Sequence, residues 1–336
     1  MKMGRRLLLS LTLGGCILCP ALASADPLQL GLPVACDLGR TCFIQSYVDI
    51  DPGPAVQDFA CGSATYDNHD GTDFRLLSAR DAATGVDVLA AAAGTVKGVR
   101  DGMPDRFANA ESRSLVANRE CGNGVVIDHG DGWETQYCHM QSGSVKATVG
   151  DKVDKGTVLG AVGYSGLAEF AHLHLTVRRN GKAIDPFTGA ERNAACQRDP
   201  SATPGLWDET VRPAHRYTNG EIIAAGFTSA LPDLKQAEVD GGIAPPTSTS
   251  KQVVFFARLI NLKAGDVVML NVEGPGGFAA QSTSKPLERN KATWIAYAGK
   301  RLTQSAWSPG TYAGTARVVR NGTTAVEAFR SWTLTE

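Results

Sequence analysis

The chain has 336 residues, a formal net charge of −1 and 20% charged residues, with no block of either sign. That balance speaks against a nucleic-acid-binding protein and against a charged tail. The 37 glycines, and the lack of any heptad, solenoid period or low-complexity tract, suit a fold of short strands and turns.

The first residues carry the three parts of a secretory signal. Lys2, Arg5 and Arg6 form the basic start, Leu7 to Leu18 the apolar core, and Ala23-Ser24-Ala25 an Ala-x-Ala cleavage site. Residues 1–25 are expected to be removed, giving an exported protein, periplasmic or secreted. The apolar run falls short of the about 20 residues that a membrane span needs, and no other segment reaches that length. No transmembrane segment is expected after cleavage. Cleavage leaves six cysteines, Cys36, Cys42, Cys61, Cys121, Cys138 and Cys196. An even number in an exported chain points to disulfides.

Residues 26–60 form a cysteine-containing lead-in, in which Cys36 and Cys42 are spaced to close a small loop. Asp49-Ile50-Asp51-Pro52-Gly53-Pro54 reads as a turn. Next comes Tyr66-Asp67-Asn68-His69-Asp70-Gly71-Thr72-Asp73-Phe74, which offers one nitrogen ligand at His69 and one oxygen ligand at Asp73, with Gly71 letting the backbone bend between them. The stretch 103–120 is longer and more polar than a hairpin connection requires. Two strand-like runs then flank Gly130-Asp131-Gly132. The second carries Tyr137, Cys138 and His139. Cys121 and Cys138 lie at nearly equal distances from the turn, so a bridge across the hairpin is expected. Strand alternation puts Tyr137 on the face of His139, where it would support the site, and Cys138 on the opposite face. His129 reads as a structural residue of the turn, and His215 as part of a linker.

Ala171-His172-Leu173-His174-Leu175-Thr176-Val177 places two histidines one residue apart in an apolar run that ends at the turn signal Asn180-Gly181. In a strand both imidazoles project from one face. Two satisfied histidines of a core strand would give the same spacing. The other histidines and Asp73 favour a metal site instead, because they complete a ligand inventory with imidazoles to spare. After removal of residues 1–25, no Cys-x-x-Cys remains to compete for the metal.

Together these pieces resemble the lysostaphin/LytM-type zinc metallopeptidases, peptidoglycan endopeptidases of the duplicated hybrid motif fold. The matching segments are His69-x-x-x-Asp73, the Gly124–Gly130 strand, Tyr137-Cys138-His139-Met140 and His172-x-His174, with the Gly-rich connection from Gly150 to Gly163 between the last two. The resemblance runs from Thr65 to Phe187. It implies an antiparallel β-sheet with a groove, Zn2+ held by His69, Asp73 and His174, and His139 and His172 as the catalytic pair. It leaves open which of the pair is the general base. It also implies peptidoglycan peptides as substrate, and no nucleic acid. The chain departs from the family where Glu169-Phe170-Ala171 replaces a Gly-Pro-like pair. The alternative readings are an inactive relative that binds the wall or activates another hydrolase, and a lipoyl-type carrier domain. The filled histidine positions weigh against the first, and the four histidines and export signal against the second.

The metallopeptidase domain is placed at residues 61–198, followed by a linker. Residues 206–336 read as short strands, including Val253–Leu262 and the two runs around Asn321-Gly322. They suggest a small immunoglobulin-like β-sandwich, available to a protein partner but without chemistry of its own. Its aromatics, Phe255, Phe256, Trp294, Trp307 and Trp332, read as core. The expected fold is mainly β throughout.

Overall fold

The computed structural model describes residues 1, 28–197, 199, 205–209, 211, 217, 220–241 and 244–335. The signal-peptide expectation, beyond residue 1, and His215 lie outside them. The fold is mainly β, and every pairing of named strands is antiparallel. Among the described residues no helix is long and apolar enough to cross a membrane.

The first body contains β1 (Cys42–Ser46), β2 (Thr72–Leu76), a short helix α1 (Ala79–Ala83), β3 (Asp87–Leu89), β4 (Gly94–Arg100), β5 (Asn123–Gly130), β6 (Trp133–Met140), β7 (Lys152–Val153), β8 (Val158–Ala161), β9 (His172–Arg179) and β10 (Lys182–Ile184). The main sheet runs β1-β2-β9-β6-β5-β4-β7, with β10 also paired to β9, while β3 and β8 form a small second sheet. Both hairpins at its centre turn through two left-handed residues, Asp131-Gly132 and Asn180-Gly181. Such turns match the strand twist and favour Asn or Asp followed by Gly. One face of the sheet is the core. Phe74, Leu173, Leu175, Ile127 and Tyr137 are fully buried there, and Leu206 and Trp207 pack into the same cluster.

The second body contains β11 (Glu221–Thr228), α2 (Leu234–Asp240), β12 (Gln252–Leu262), β13 (Val267–Gly274), β14 (Phe278–Thr283), β15 (Lys291–Arg301), β16 (Gly310–Arg320) and β17 (Thr323–Leu334). A three-stranded sheet, β11-β12-β15, faces a four-stranded one, β14-β13-β16-β17. Phe255 and Leu259 from the first sheet and Leu270 and Tyr312 from the second meet in the core between them, with Trp294, Trp307 and Trp332 packed against it. The hairpin at Asn321-Gly322 forms as its sequence requires, with both residues left-handed.

The two bodies meet along edge strand β1. Phe43 and Leu77 pack on Ile223 and Ile260. A bulge at Gln45 turns its amide outward, where Nε2 donates to Ala292 O at 2.9 Å and the backbone oxygen accepts from Asn261 Nδ2 at 2.9 Å. Three disulfides form, Cys36–Cys42, Cys61–Cys196 and Cys121–Cys138.

Beneath this sheet Asp185 is buried. Its Oδ1 accepts from the Phe187 and Thr188 amides at 3.0 and 2.8 Å, while Oδ2 has no hydrogen-bond partner among the described residues. Burial pushes its carboxyl up to about 7. The folded state therefore holds a proton that the unfolded chain loses near pH 4. The stability this contributes is complete below that pH and is lost as pH rises through about 7. Urea midpoints are expected to fall over that window and to fall less in Asp185→Asn. Equal slopes in both proteins would contradict the assignment.

Candidate metal centre

The site stands on the face of the main sheet opposite the core. Across β2 and β9, Asp73 is paired with His174 and Arg75 with His172. Paired residues share a face, so Asp73, His172 and His174 emerge together. His69 arrives from the loop before β2. That loop is fixed by Asp49, which is fully buried and accepts from the amides of Asp51, Gln57 and Asn68. Gly71 lies at a bend, as expected, and does so without a left-handed φ. A Cβ there would also meet His174 Nε2 at 2.6 Å, so glycine lets the loop run against that ring.

His69 Nε2 lies 3.1 Å from Asp73 Oδ1 and 3.1 Å from His174 Nδ1, and His174 Nδ1 lies 2.9 Å from the same carboxylate oxygen. All three residues are buried, and their ligand atoms form a group that could hold a metal ion. The remaining ring nitrogens are committed elsewhere. His69 Nδ1 meets Tyr47 O at 2.6 Å, and since a carbonyl only accepts, Nδ1 carries the hydrogen. His174 Nε2 meets Thr176 Oγ1 at 2.9 Å and Asp70 Oδ1 at 3.3 Å. Asp70 is itself held by Arg178 at 2.9 Å.

His139 and His172 complete the group, with ring centroids 4.5 Å apart. His139 Nδ1 donates to Ser165 O and His172 Nδ1 to Phe170 O, both at 2.8 Å. Each ring therefore keeps its Nε2 lone pair. His172 Nε2 lies 3.6 Å from Asp73 Oδ1. Burial lowers both imidazoles below their ordinary value, His139 most strongly, so both are neutral near pH 7. Burial also opposes ionisation of Asp73, but His69, His172 and His174 hold it well below the carboxylate range. Burial opposes protonation of His174, yet hydrogen bonds to Asp70 and Asp73 push it up to about 9. A proton on its Nδ1 and a cation at the donor atoms exclude one another.

Two expectations about strand faces fail. Cys138 is paired with His174 and lies on the site side of the sheet, whereas Tyr137 is paired with Leu175 and lies in the core. The Tyr137 hydroxyl accepts from the Ala91 amide at 2.7 Å and does not touch the site. The cause is His139, whose φ of 61° breaks the alternation and swings its ring toward the histidines of β9. The expected bridge to Cys121 forms nonetheless. His129 is structural, as expected, with ring contacts to Ala93 O and Thr135 Oγ1.

The 103–120 segment packs against the stretches around Ser142 and Tyr164 that flank His139. Asp105 accepts from the amides of Ser142 and Tyr164, and Phe107 stacks on Tyr164 with centroids 4.6 Å apart. On the other side Tyr66 lies over His69, centroids 4.3 Å apart. Sequence reasoning missed the parts played by Asp49, Asp70, Thr176 and Tyr66. Asp70 and Tyr66 belong to the His69 motif, but the carbonyls of Tyr47, Ser165 and Phe170 leave no trace in residue types.

Two imidazoles and a carboxylate converging beneath two further imidazoles form a donor set of the kind that hydrolytic metal centres use. Residues 67–186 match the model of Peptidase family M23. A relative from Haemophilus influenzae, described as an uncharacterized metalloprotease, is 31% identical over 36% of this chain and 20% of its own length. Cell division protein DipM of Caulobacter vibrioides is 38% identical over 19% of this chain and 11% of its own. The DD-carboxypeptidase/endopeptidase Mpg of Neisseria meningitidis is 38% identical over 20% of this chain and 15% of its own. The chain thus spans a fifth or less of each of these relatives.

Removing Asp49 strands three backbone amides around the His69 loop. Asp49→Ala is expected to lower the unfolding free energy by about 2–4 kcal/mol. Urea denaturation measures this, and an unchanged midpoint would show that the loop is held by other contacts.

Proposed function

We propose that the mature chain is a zinc-dependent endopeptidase that hydrolyses peptide bonds in peptidoglycan stems or cross-links. The observation that carries this reading is the convergence of His69 Nε2, Asp73 Oδ1 and His174 Nδ1 within 4.8 Å of one another. Lone-pair atoms this close repel unless a proton or a cation lies between them. Two nitrogens and one oxygen are the ligand types of catalytic zinc, which keeps a fourth position open. The residues present therefore fit the metal, and His69, Asp73 and His174 would hold it. Zinc so held supplies Lewis acidity, lowering the pKa of water toward about 7 and polarising the scissile carbonyl.

The chain's own part is proton handling and alignment. The hydrogen bonds of His139 to Ser165 O and of His172 to Phe170 O leave a lone pair on each Nε2. One ring accepts the proton of the attacking water there. Having accepted it, that nitrogen becomes a donor, which the leaving amine and the developing oxyanion both require. Tyr47 O and Asp70 fix the two metal-ligating rings through their outer nitrogens, as in carboxylate–histidine–metal arrangements.

The catalytic unit is residues 61–198, and residues 206–336 form an immunoglobulin-like sandwich. Three disulfides support export to an oxidising compartment. The peptidase name of the Neisseria relative supports the reaction class.

Metal analysis of the mature protein is expected to find one zinc, and His174→Ala to lose it. Full zinc retention by that variant would contradict the ligand assignment. His139→Ala and His172→Ala are expected to keep zinc while hydrolysing purified muropeptides roughly 10²–10³-fold more slowly. Wild-type rates in either variant would remove that histidine from the mechanism. A chelator should abolish hydrolysis, and zinc should restore it. A mature protein that binds zinc and wall but releases no product would point to the inactive, wall-binding alternative.

A further inference from the structure

Arg75 is the residue that the site shares with the second body. It follows Asp73 by two residues on β2 and is paired with His172 across the ladder. Its side chain is fully buried. A buried guanidinium requires a counter-charge and hydrogen-bond acceptors. Nη1 donates to Gln45 Oε1 and Nη2 to Glu238 Oε2, both at 2.6 Å, and Nε donates to Leu76 O at 3.3 Å. Glu238 stands on α2, so the counter-charge comes from the second body. Its other oxygen lies 2.9 Å from Arg258 Nη2, off the hydrogen-bonding direction. Arg258 also donates through Nη1 to Leu77 O and Ala237 O, at 2.7 and 3.1 Å.

The guanidinium of Arg75 lies 4.7 Å over the ring of Phe170. Phe170 touches His172 twice. Its carbonyl accepts the Nδ1 hydrogen, and its ring centroid lies 4.4 Å from that of His172. The contacts run unbroken from α2 through Glu238, Arg75 and Phe170 to His172. A buried ion pair gives little net stability over an apolar replacement, but it fixes geometry. A cation over an aromatic face adds attraction that an apolar side chain would not supply.

We propose that Arg75 and Glu238 are positioning residues for His172, so that the second body forms part of the peptidase site rather than an appendage to it. The proposal rests on the reading of His172 as a catalytic group. The test uses Glu238→Gln and Phe170→Leu in the full mature, zinc-loaded chain. The first removes the counter-charge. The second removes the ring but keeps the ion pair and the carbonyl. Both are expected to lower kcat for muropeptides about tenfold or more, because small misplacements of a catalytic group are costly. KM and zinc content should stay as in the wild type. Both should also shift the ring 15N resonances of His172, assigned by comparison with His172→Gln. A lower melting temperature in both variants, with kcat and the His172 resonances unchanged, would overturn the proposal. Should Glu238→Gln fail to fold, Phe170→Leu alone decides by the same two readouts. If the wild type hydrolyses no muropeptide, the peptidase reading fails. The resonances then decide the positioning role by themselves: shifted they support it, unmoved they refute it.

Discussion

One strand pairing determines the site: Asp73 opposite His174 across β2 and β9. Side chains alternate between faces, so a slip of one residue would carry Phe74 into the site and Asp73 into the core. The same slip on β9 would exchange Leu173 and Leu175 for the histidines. Each of these large apolar side chains gains about 1.5–3 kcal/mol from full burial. Phe74, Leu173 and Leu175 are all fully buried, so the core holds the register. The geometry of the candidate metal site is thus secured from the opposite face of the sheet, by residues that take no part in it.

Backbone carbonyls do the second part of the work. Tyr47 O, Ser165 O and Phe170 O each fix one imidazole by its Nδ1 hydrogen. Carbonyls cannot donate, so they fix the tautomer as well as the ring plane. His174 is the exception. Its outer nitrogen faces Thr176 and Asp70, and its Nδ1 faces Asp73. That arrangement sets it apart electrostatically, raised where His139 and His172 are lowered. Five side chains of two residue types thereby acquire distinct environments: three that favour a cation between them and two that keep neutral bases beside it.

Much of this was legible in the sequence because it depends on spacing. His172-x-His174 in a strand must share a face, and Asn-Gly or Asp-Gly turns fixed the hairpins. Spacing put His172 and His174 on one face, the resemblance to the metallopeptidases added His69, Asp73 and His139, and the structure brings all five together. What escaped was whatever depends on a local break in regularity or on long-range contact. The left-handed backbone at His139 inverted the faces expected for Tyr137 and Cys138. The bend at Gly71 was foreseen, but its close approach to the His174 ring was not, because a bend and a close contact select the same residue. Strands β11 and β14 were not foreseen. β11 carries Ala224-Ala225-Gly226 and β14 carries Ala279-Ala280, small residues with weak strand preference.

The union of the two bodies follows from the exposed edge that the main sheet would otherwise have. β1 is terminal in the sheet order, and an uncovered edge strand invites pairing with other chains. Here the bulge at Gln45 spoils the edge: its backbone oxygen accepts from Asn261 Nδ2 and its side-chain Nε2 donates to Ala292 O, both of the second body. Apolar contact among Phe43, Leu77, Ile223 and Ile260 then excludes water from the seam. Only in that dry setting can an arginine lie buried beside His172 with a carboxylate from the second body as its partner. Without the second body, Arg75 would draw water into the sheet beside His172. With it, the same charge becomes a fixed support, and the covering of an edge and the bracing of a histidine become one structural device.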